Sequence, residues 1–214
     1  MVVAESQTGG RGRLGRAWQS PPRAGLTFSM LFRPGVPPAR RGWLPLLVGA
    51  AAARALAERC DLDVAVKWPN DLLVGGRKVA GILAEAVDDA VVVGVGLNVS
   101  TTHDELPVET ATSLALEMGS AVDRAPLLLA MLRAIGPLYL DWAAAGGSAE
   151  AVAPAYRALC DTLAREVQVT LPGDQLLAGT AVAVDDDGRL VVRTKAGDEH
   201  ALTAGDVVHV RPAV

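Results

Sequence analysis

Leu26, Phe28, Met30 and Phe32 alternate with Thr27, Ser29 and Leu31, the period of a strand with one buried face. The short apolar run Met1-Val2-Val3-Ala4 reads as the end of another strand. Pro34, Pro37 and Pro38 close the first pattern and introduce a buried helix over 40–60, where Leu46, Leu47, Ala50, Ala53 and Ala57 recur at helical spacing. Val64–Lys67 predicts a short strand that the chain leaves at Trp68-Pro69, because proline offers no N–H to a ladder. Leu72–Val74 and Lys78–Glu85 flank Gly75-Gly76 and predict a hairpin. The β-branched run over 90–97 predicts a central strand, and its Gly94 and Gly96 imply a close neighbour.

Helical patterns follow. A short helix is expected over 113–119 and an amphipathic one over 124–145, with Pro126 in its first turn and Gly146-Gly147 at its end. A third is expected over 148–160, capped by Ser148 and kinked at Pro154. Beyond Thr162 the texture changes to short strands over 167–171, 177–184, 190–194 and 207–210. Pro172-Gly173-Asp174, Asp185-Asp186-Asp187-Gly188 and Ala196-Gly197-Asp198 are the turns between them, a spacing that predicts a small SH3-like barrel. The Asp185–Gly188 run lacks the alternating ligands and closing glutamate of a calcium loop, so it reads as a hairpin turn. The class expected is α+β: a mixed sheet packed on helices over 1–162, with a barrel domain over 163–214.

Charge sharpens this picture. Twenty Lys and Arg stand against 24 Asp and Glu, and a net charge of −4 argues against a dedicated nucleic-acid binder. The cations are concentrated early, at Arg11, Arg13, Arg16, Arg23, Arg33, Arg40 and Arg41, which points to a local anion site. Cys60 and Cys160 have no partner motif and read as thiols in a reducing compartment. The apolar stretch over 44–57 is interrupted by Pro45 and Arg54 and is too short to span a bilayer. With no signal-peptide pattern at the start, the expected location is the cytoplasm, with no membrane partner.

Three stretches carry candidate chemistry. Gly9-Gly10-Arg11-Gly12-Arg13-Leu14-Gly15-Arg16 combines backbone freedom with charged forks that grip carboxylate or phosphate. It is either a lid over an anion or a loosely basic tail. Lys67-Trp68-Pro69-Asn70-Asp71 sets polar groups at a strand end, where Asp71 pairs with Lys67, holds magnesium or caps the turn. Lys78 precedes the small residues Val79-Ala80-Gly81, and is either a mobile point charge for a ligand or a salt-bridged strand lysine. Gly94-Val95-Gly96-Leu97-Asn98 ends a strand on an amide able to bind a nucleotide or close a turn, while Ala111-Thr112-Ser113 reads as a helix cap.

Taken together, Glu5–Arg16, Lys67–Asp71, Lys78–Leu83 and Gly94–Asn98 resemble the biotin protein ligases in order and spacing, over essentially the whole chain. The resemblance implies a class II synthetase-like catalytic domain with an SH3-like C-terminal barrel. It also implies a two-step reaction: biotin and ATP give biotinoyl-5′-AMP with magnesium assisting, and a lysine of the biotin carboxyl carrier domain of acetyl-CoA or another carboxylase takes the biotinoyl group. By the same resemblance, Gln7, Arg11, Gly12, Arg13, Lys78 and Gly81 bind biotin, with Lys78 and Arg13 catalytic. Arg16, Trp18, Asn70, Asp71 and Asn98 serve the nucleotide, and Asp71 is the candidate ligand for Mg2+. Trp18 is equally readable as a packing residue. The family carries a further strand and helix, with a segment for biotin's ureido ring, before the point where Met1 stands. The expectation is therefore an N-terminally incomplete catalytic domain with no DNA-binding domain, in a monomer or a homodimer. The alternatives are a lipoate or octanoyl transferase of the same fold, or an inactive remnant.

Overall fold

The computed structural model describes residues 1–171, 173, 175–203 and 205–210, Leu14 by its backbone alone. Pro172 and Asp174 of the expected turn lie outside the described residues. Six strands form the main sheet: β1 (Val2–Ala4), β2 (Gly25–Phe32), β3 (Val64–Lys67), β4 (Asp71–Val74), β5 (Arg77–Val87) and β6 (Ala90–Asn98), in the order β1-β2-β6-β5-β4-β3. Every ladder between these strands is antiparallel, and the isolated bridges Val66–Cys160 and Lys78–Ala111 at its margins are parallel.

Period-two patterning divides the sheet into two faces. Phe28, Val66, Leu72, Ile82, Val93 and Val95 are each at most 2% exposed and belong to one apolar core. Helix α1 (Trp43–Cys60) packs on this face, where Gly49 admits Ile82: a Cβ there would lie 3.3 Å from Ile82 Cδ1. A short helix α2 (Leu114–Met118) precedes α3 (Arg124–Ala144), which covers α1 with Leu127, Met131, Ile135 and Trp142. Covered on both sides, α1 is apolar almost all round, as a fully buried helix must be. Among the described residues α3 alone is long and apolar enough to cross a membrane, and those four side chains are instead buried in the core.

Two helical expectations need correction. The segment Pro38–Gly42 forms a 3-10 turn with proline in its first turn, so the helix expected from residue 40 begins at Trp43. The helix expected over 148–160 splits into a 3-10 turn (Ala149–Ala151) and α4 (Ala153–Leu159). Pro154 lacks an N–H, which a first turn does not need, and α4 begins around it. Ser148 does cap, accepting from Glu150 N at 3.3 Å.

The C-terminal unit comprises β7 (Glu166–Thr170), β8 (Leu176–Val184), β9 (Leu190–Arg193), β10 (Glu199–Leu202) and β11 (Asp206–His209), in the order β10-β9-β8-β7-β11. Val167, Val169, Ala181, Val184, Leu190 and Val192 are fully buried inside it. Strand β10 escaped the sequence pattern because only Leu202 of its four residues is buried. The Asp185–Gly188 run is a turn, with Asp185 accepting from the backbone N–H of Asp187 (3.0 Å) and Arg189 (2.9 Å). It also docks the barrel: Asp186 O accepts from Trp43 Nε1 (2.9 Å) and Arg40 Nη1 (2.7 Å), and Gly188 O from Trp68 Nε1 (3.1 Å).

Candidate active site

Among the described residues, the second face of the sheet is covered by the Gly/Arg loop and Trp18 rather than by an α-helix. Registers Gly81–Gly96, Leu83–Gly94, Thr27–Gly96 and Ser29–Gly94 set small and polar residues side by side there. They floor a cleft of about 210 Å3 roofed by Gln7, Gly9, Arg11 and Trp18. The glycines are required by what lies above them. A Cβ on Gly96 would come within 2.6 Å of the Trp18 indole, and one on Gly81 within 3.2 Å. The close neighbour implied by the glycines of β6 is thus Trp18.

The Gly/Arg stretch is a folded loop rather than a tail. Gly12 N donates to Arg16 O (2.7 Å), Trp18 N to Gly10 O (3.0 Å), and Arg11 bridges Ala17. Arg13 Nη1 reaches Asn70 Oδ1 at 3.3 Å and so joins the loop to the Lys67–Asp71 turn. Burial pushes the Arg13 guanidinium below its ordinary value; Asp71 opposes that shift, Arg16 adds to it and Asp206 opposes it. Such a partly desolvated guanidinium has much to gain from an anion.

Lys78 stands at the margin of the cleft, 3.4 Å from where a Gly81 Cβ would be and 5.8 Å from the centre of the Trp18 ring. Its Nζ lies 2.6 Å from Asp71 Oδ1. That oxygen is buried and has no aligned hydrogen-bond donor, so the contact is an ion pair that leaves acceptor capacity over. The expected pairing of Asp71 with Lys67 is corrected: the two are register partners across β3 and β4, but the carboxylate turns to Lys78.

Two nucleotide assignments also look different in three dimensions. Asn98 is buried and spends its amide on Thr112 O at 3.0 Å, fastening the loop after β6 rather than lining the cleft. Arg16 is exposed and pairs with Asp206 of β11 at 3.0 Å, tying the Gly/Arg loop to the barrel. Arg124 was missed by sequence reading; it holds Glu5 (2.8 Å) and Gly25 O (3.1 Å) beneath the start of the loop. The run of arginines drew attention to the N-terminal segment and away from this single one at a helix start.

A larger cleft of about 310 Å3 lies beside the first, bounded by Arg13, Arg41, Trp68, Asn70, Leu83 and Arg189. Of the candidate residues, Arg13 and Asn70 line this larger cleft, while Gly81 and Trp18 line the smaller one with Lys78 at its margin; the two share Leu83. Among the described residues no three His, Cys, Asp or Glu side chains come together as a metal cage. Cys60 and Cys160 are free, and burial raises both thiols above their ordinary range.

Residues 1–100 match the Biotin/lipoate A/B protein ligase family, and residues 162–210 match the Biotin protein ligase C terminal domain. The chain is 40% identical to the biotin–[acetyl-CoA-carboxylase] ligase of Mycobacterium tuberculosis, over 99% of its own length and 79% of that protein. It is 32% identical to the bifunctional ligase/repressor BirA of Bacillus spizizenii and spans 64% of that relative's length. The Aquifex aeolicus biotin protein ligase, solved in complex with biotin and ATP, superposes with a TM-score of 0.82 at 32% identity, covering 98% of this chain and 88% of that one. The chain belongs to the biotin protein ligase family.

Proposed function

We propose that this chain activates biotin with ATP and passes the biotinoyl group to a lysine of a biotin carboxyl carrier protein. In the first step a biotin carboxylate oxygen bonds to the α-phosphorus of ATP and pyrophosphate leaves. In the second, the carrier amine attacks the acyl carbon, AMP departs and the amine loses a proton. Neither step needs a covalent enzyme intermediate. What the protein must supply is alignment of two anions and neutralisation of their charge.

The observation that carries this reading is Lys78, an ammonium held by Asp71 beside a bare glycine floor and under an arginine loop. Biotin's ring system lies along Gly81 and Gly96 beneath Gln7, Arg11 and Gly12, with Trp18 shifting to admit it. Its carboxylate meets Lys78, which follows the negative charge onto the α-phosphate. Arg13, tied to Asn70, closes over the adenylate; Arg16 exchanges Asp206 for a phosphate. Asp71 suits Mg2+, a hard cation commonly bound by one or two carboxylates together with substrate phosphates, because its Oδ1 retains acceptor capacity. When bound, the ion would neutralise phosphate charge. The catalytic domain is taken as 1–162 and the barrel as 163–214, acting in the cytoplasm where ATP is available.

Biotin-dependent exchange of labelled pyrophosphate into ATP tests this reading. Lys78→Ala is expected to lower it by about 10²-fold or more, the scale of losing one preorganised charge stabiliser, while thermal unfolding changes little. Undiminished exchange in that variant would refute the role of Lys78. Exchange driven by lipoate and not by biotin would overturn the choice of substrate.

A further inference from the structure

The main-chain hydrogen bonds of Lys78 are not made to β4. The β4–β5 register passes from Leu72–Ala80 to Leu73–Lys78, so Val79 is an extra residue, and such a bulge re-aims the side chains around it. On the other edge β6 ends at Asn98, whose neighbour Leu97 still pairs with Ala80. The segment 110–112 continues the sheet there: Lys78 N donates to Thr110 O and Thr112 N to Lys78 O, both at 2.8 Å. Both main-chain groups of Lys78 therefore hang on a loop.

Besides the Asn98 amide, that loop is anchored by a carboxylate. Thr112 is fully buried, and its hydroxyl donates a short hydrogen bond to Glu117 Oε1. The same oxygen lies 2.7 Å from Arg77 Nη2. Glu117 thus binds the residue preceding Lys78 on one side of the bridge and Thr112 on the other. The Glu117 side chain is only 12% exposed, while that of Arg77 is 45% exposed, so the carboxylate is the sheltered member of the pair. Nothing in the catalytic chemistry needs this carboxylate, which is not among the residues lining the cleft.

We propose that Glu117 is a positioning residue: through Thr112 and Arg77 it clamps the bridge that sets where the Lys78 ammonium stands. This rests on the reading of Lys78 given above. A misplacement of about 1 Å in a reacting group costs rate far more than it costs stability. Glu117→Ala is accordingly expected to lower kcat of biotin-dependent pyrophosphate exchange about tenfold or more with a small change in KM for biotin. Glu117→Gln, which keeps an oxygen for Thr112, is expected to restore most of that rate.

A double-mutant cycle with Lys78→Ala decides the matter. If Glu117 acts through Lys78, adding Glu117→Ala to Lys78→Ala leaves the rate within about twofold of Lys78→Ala alone. Independent, additive losses would overturn the positioning role while leaving Lys78 in place, as would an unchanged kcat in Glu117→Ala. An unimpaired Lys78→Ala would overturn both readings together. Thr112→Val, which removes the hydroxyl and keeps the shape, carries the same cycle with the same expected outcomes if Glu117→Ala gives no folded protein.

Discussion

His209 is a base with more set against its proton than for it. Burial lowers its pKa most, Lys67 and Arg165 add to that, and Asp161 opposes them. Its Nδ1 lies 3.6 Å from Asp161 Oδ2 and its Nε2 3.2 Å from Thr162 Oγ1, which in turn accepts from Trp68 N at 3.0 Å. At neutral pH the ring is uncharged, and the contact with Asp161 is not an ion pair. With a folded pKa below the ordinary 6.5, the unfolded chain takes up a proton first as pH falls through that value. Stability is therefore complete above pH about 6.5 and declines below it, until the folded pKa is passed. Melting temperatures recorded from pH 7.5 to 5 are expected to fall more steeply for the native chain than for His209→Gln; parallel curves would contradict this. Arg13 offers a kinetic test at the same scale. Arg13→Gly removes the tie to Asn70, so the adenylate is expected to escape faster from the site. Retention of radiolabelled biotinoyl-AMP on a desalting column measures that directly, and undiminished retention would contradict it.

Strand β6 shows what an element contributes beyond its residues. Its β-branched members Val91, Val93 and Val95 are buried in the core, while Gly94 and Gly96 present no side chain to the other face. Neither glycine has a positive φ, so only space is at issue. Gly96→Ala would drive a methyl into the Trp18 indole, and overpacking of this kind costs about 1–3 kcal/mol. Biotin binding, followed by calorimetry, is expected to weaken about tenfold. Trp18→Ala should relieve the conflict, and an equal loss in the Trp18→Ala background would show that the tryptophan is not what the methyl meets. The small-residue floor was legible in the sequence, because glycines inside a strand pattern mark a close approach. The strands Val64–Lys67 and Leu26–Phe32, the Gly-Gly hairpin and α1 were legible too, since each buries a face at its own period. The breaks were not. Pro154 marked an interruption but not the 3-10 turn before it, and β10 exposes three of its four residues, so neither leaves a periodic trace. At the site, motif spacing brought Lys78, Gly81 and the Gly/Arg loop together. The partners of Asp71, Arg16 and Asn98 come from register and domain docking, which no local pattern encodes.

Across the whole molecule the barrel is fastened where the catalytic turn begins. Trp68 opens the Pro69-Asn70-Asp71 turn, is 1% exposed, and donates through its indole to Gly188 O. Trp43 begins α1, is fully buried, and donates to Asp186 O. One hairpin turn of the barrel therefore contacts both the start of the central helix and the residue that leads into Asn70 and Asp71. Gly188 makes that docking feasible. Its φ is +78°, and a Cβ would come within 3.1 Å of the Gly42 backbone and 3.2 Å of Leu46 Cδ1. Gly188→Ala would combine left-handed backbone strain, of order 1–3 kcal/mol, with a wedge in the interface. In urea the native chain is expected to unfold with coincident transitions in tryptophan fluorescence and far-UV circular dichroism, because the two sheets share these buried indoles. In Gly188→Ala the fluorescence transition should move to lower urea than the dichroism, with biotin-dependent pyrophosphate exchange falling over the same range. Coincident transitions at an unchanged midpoint would mean that the barrel does not brace the catalytic turn, and that Trp68 is held by the sheet alone.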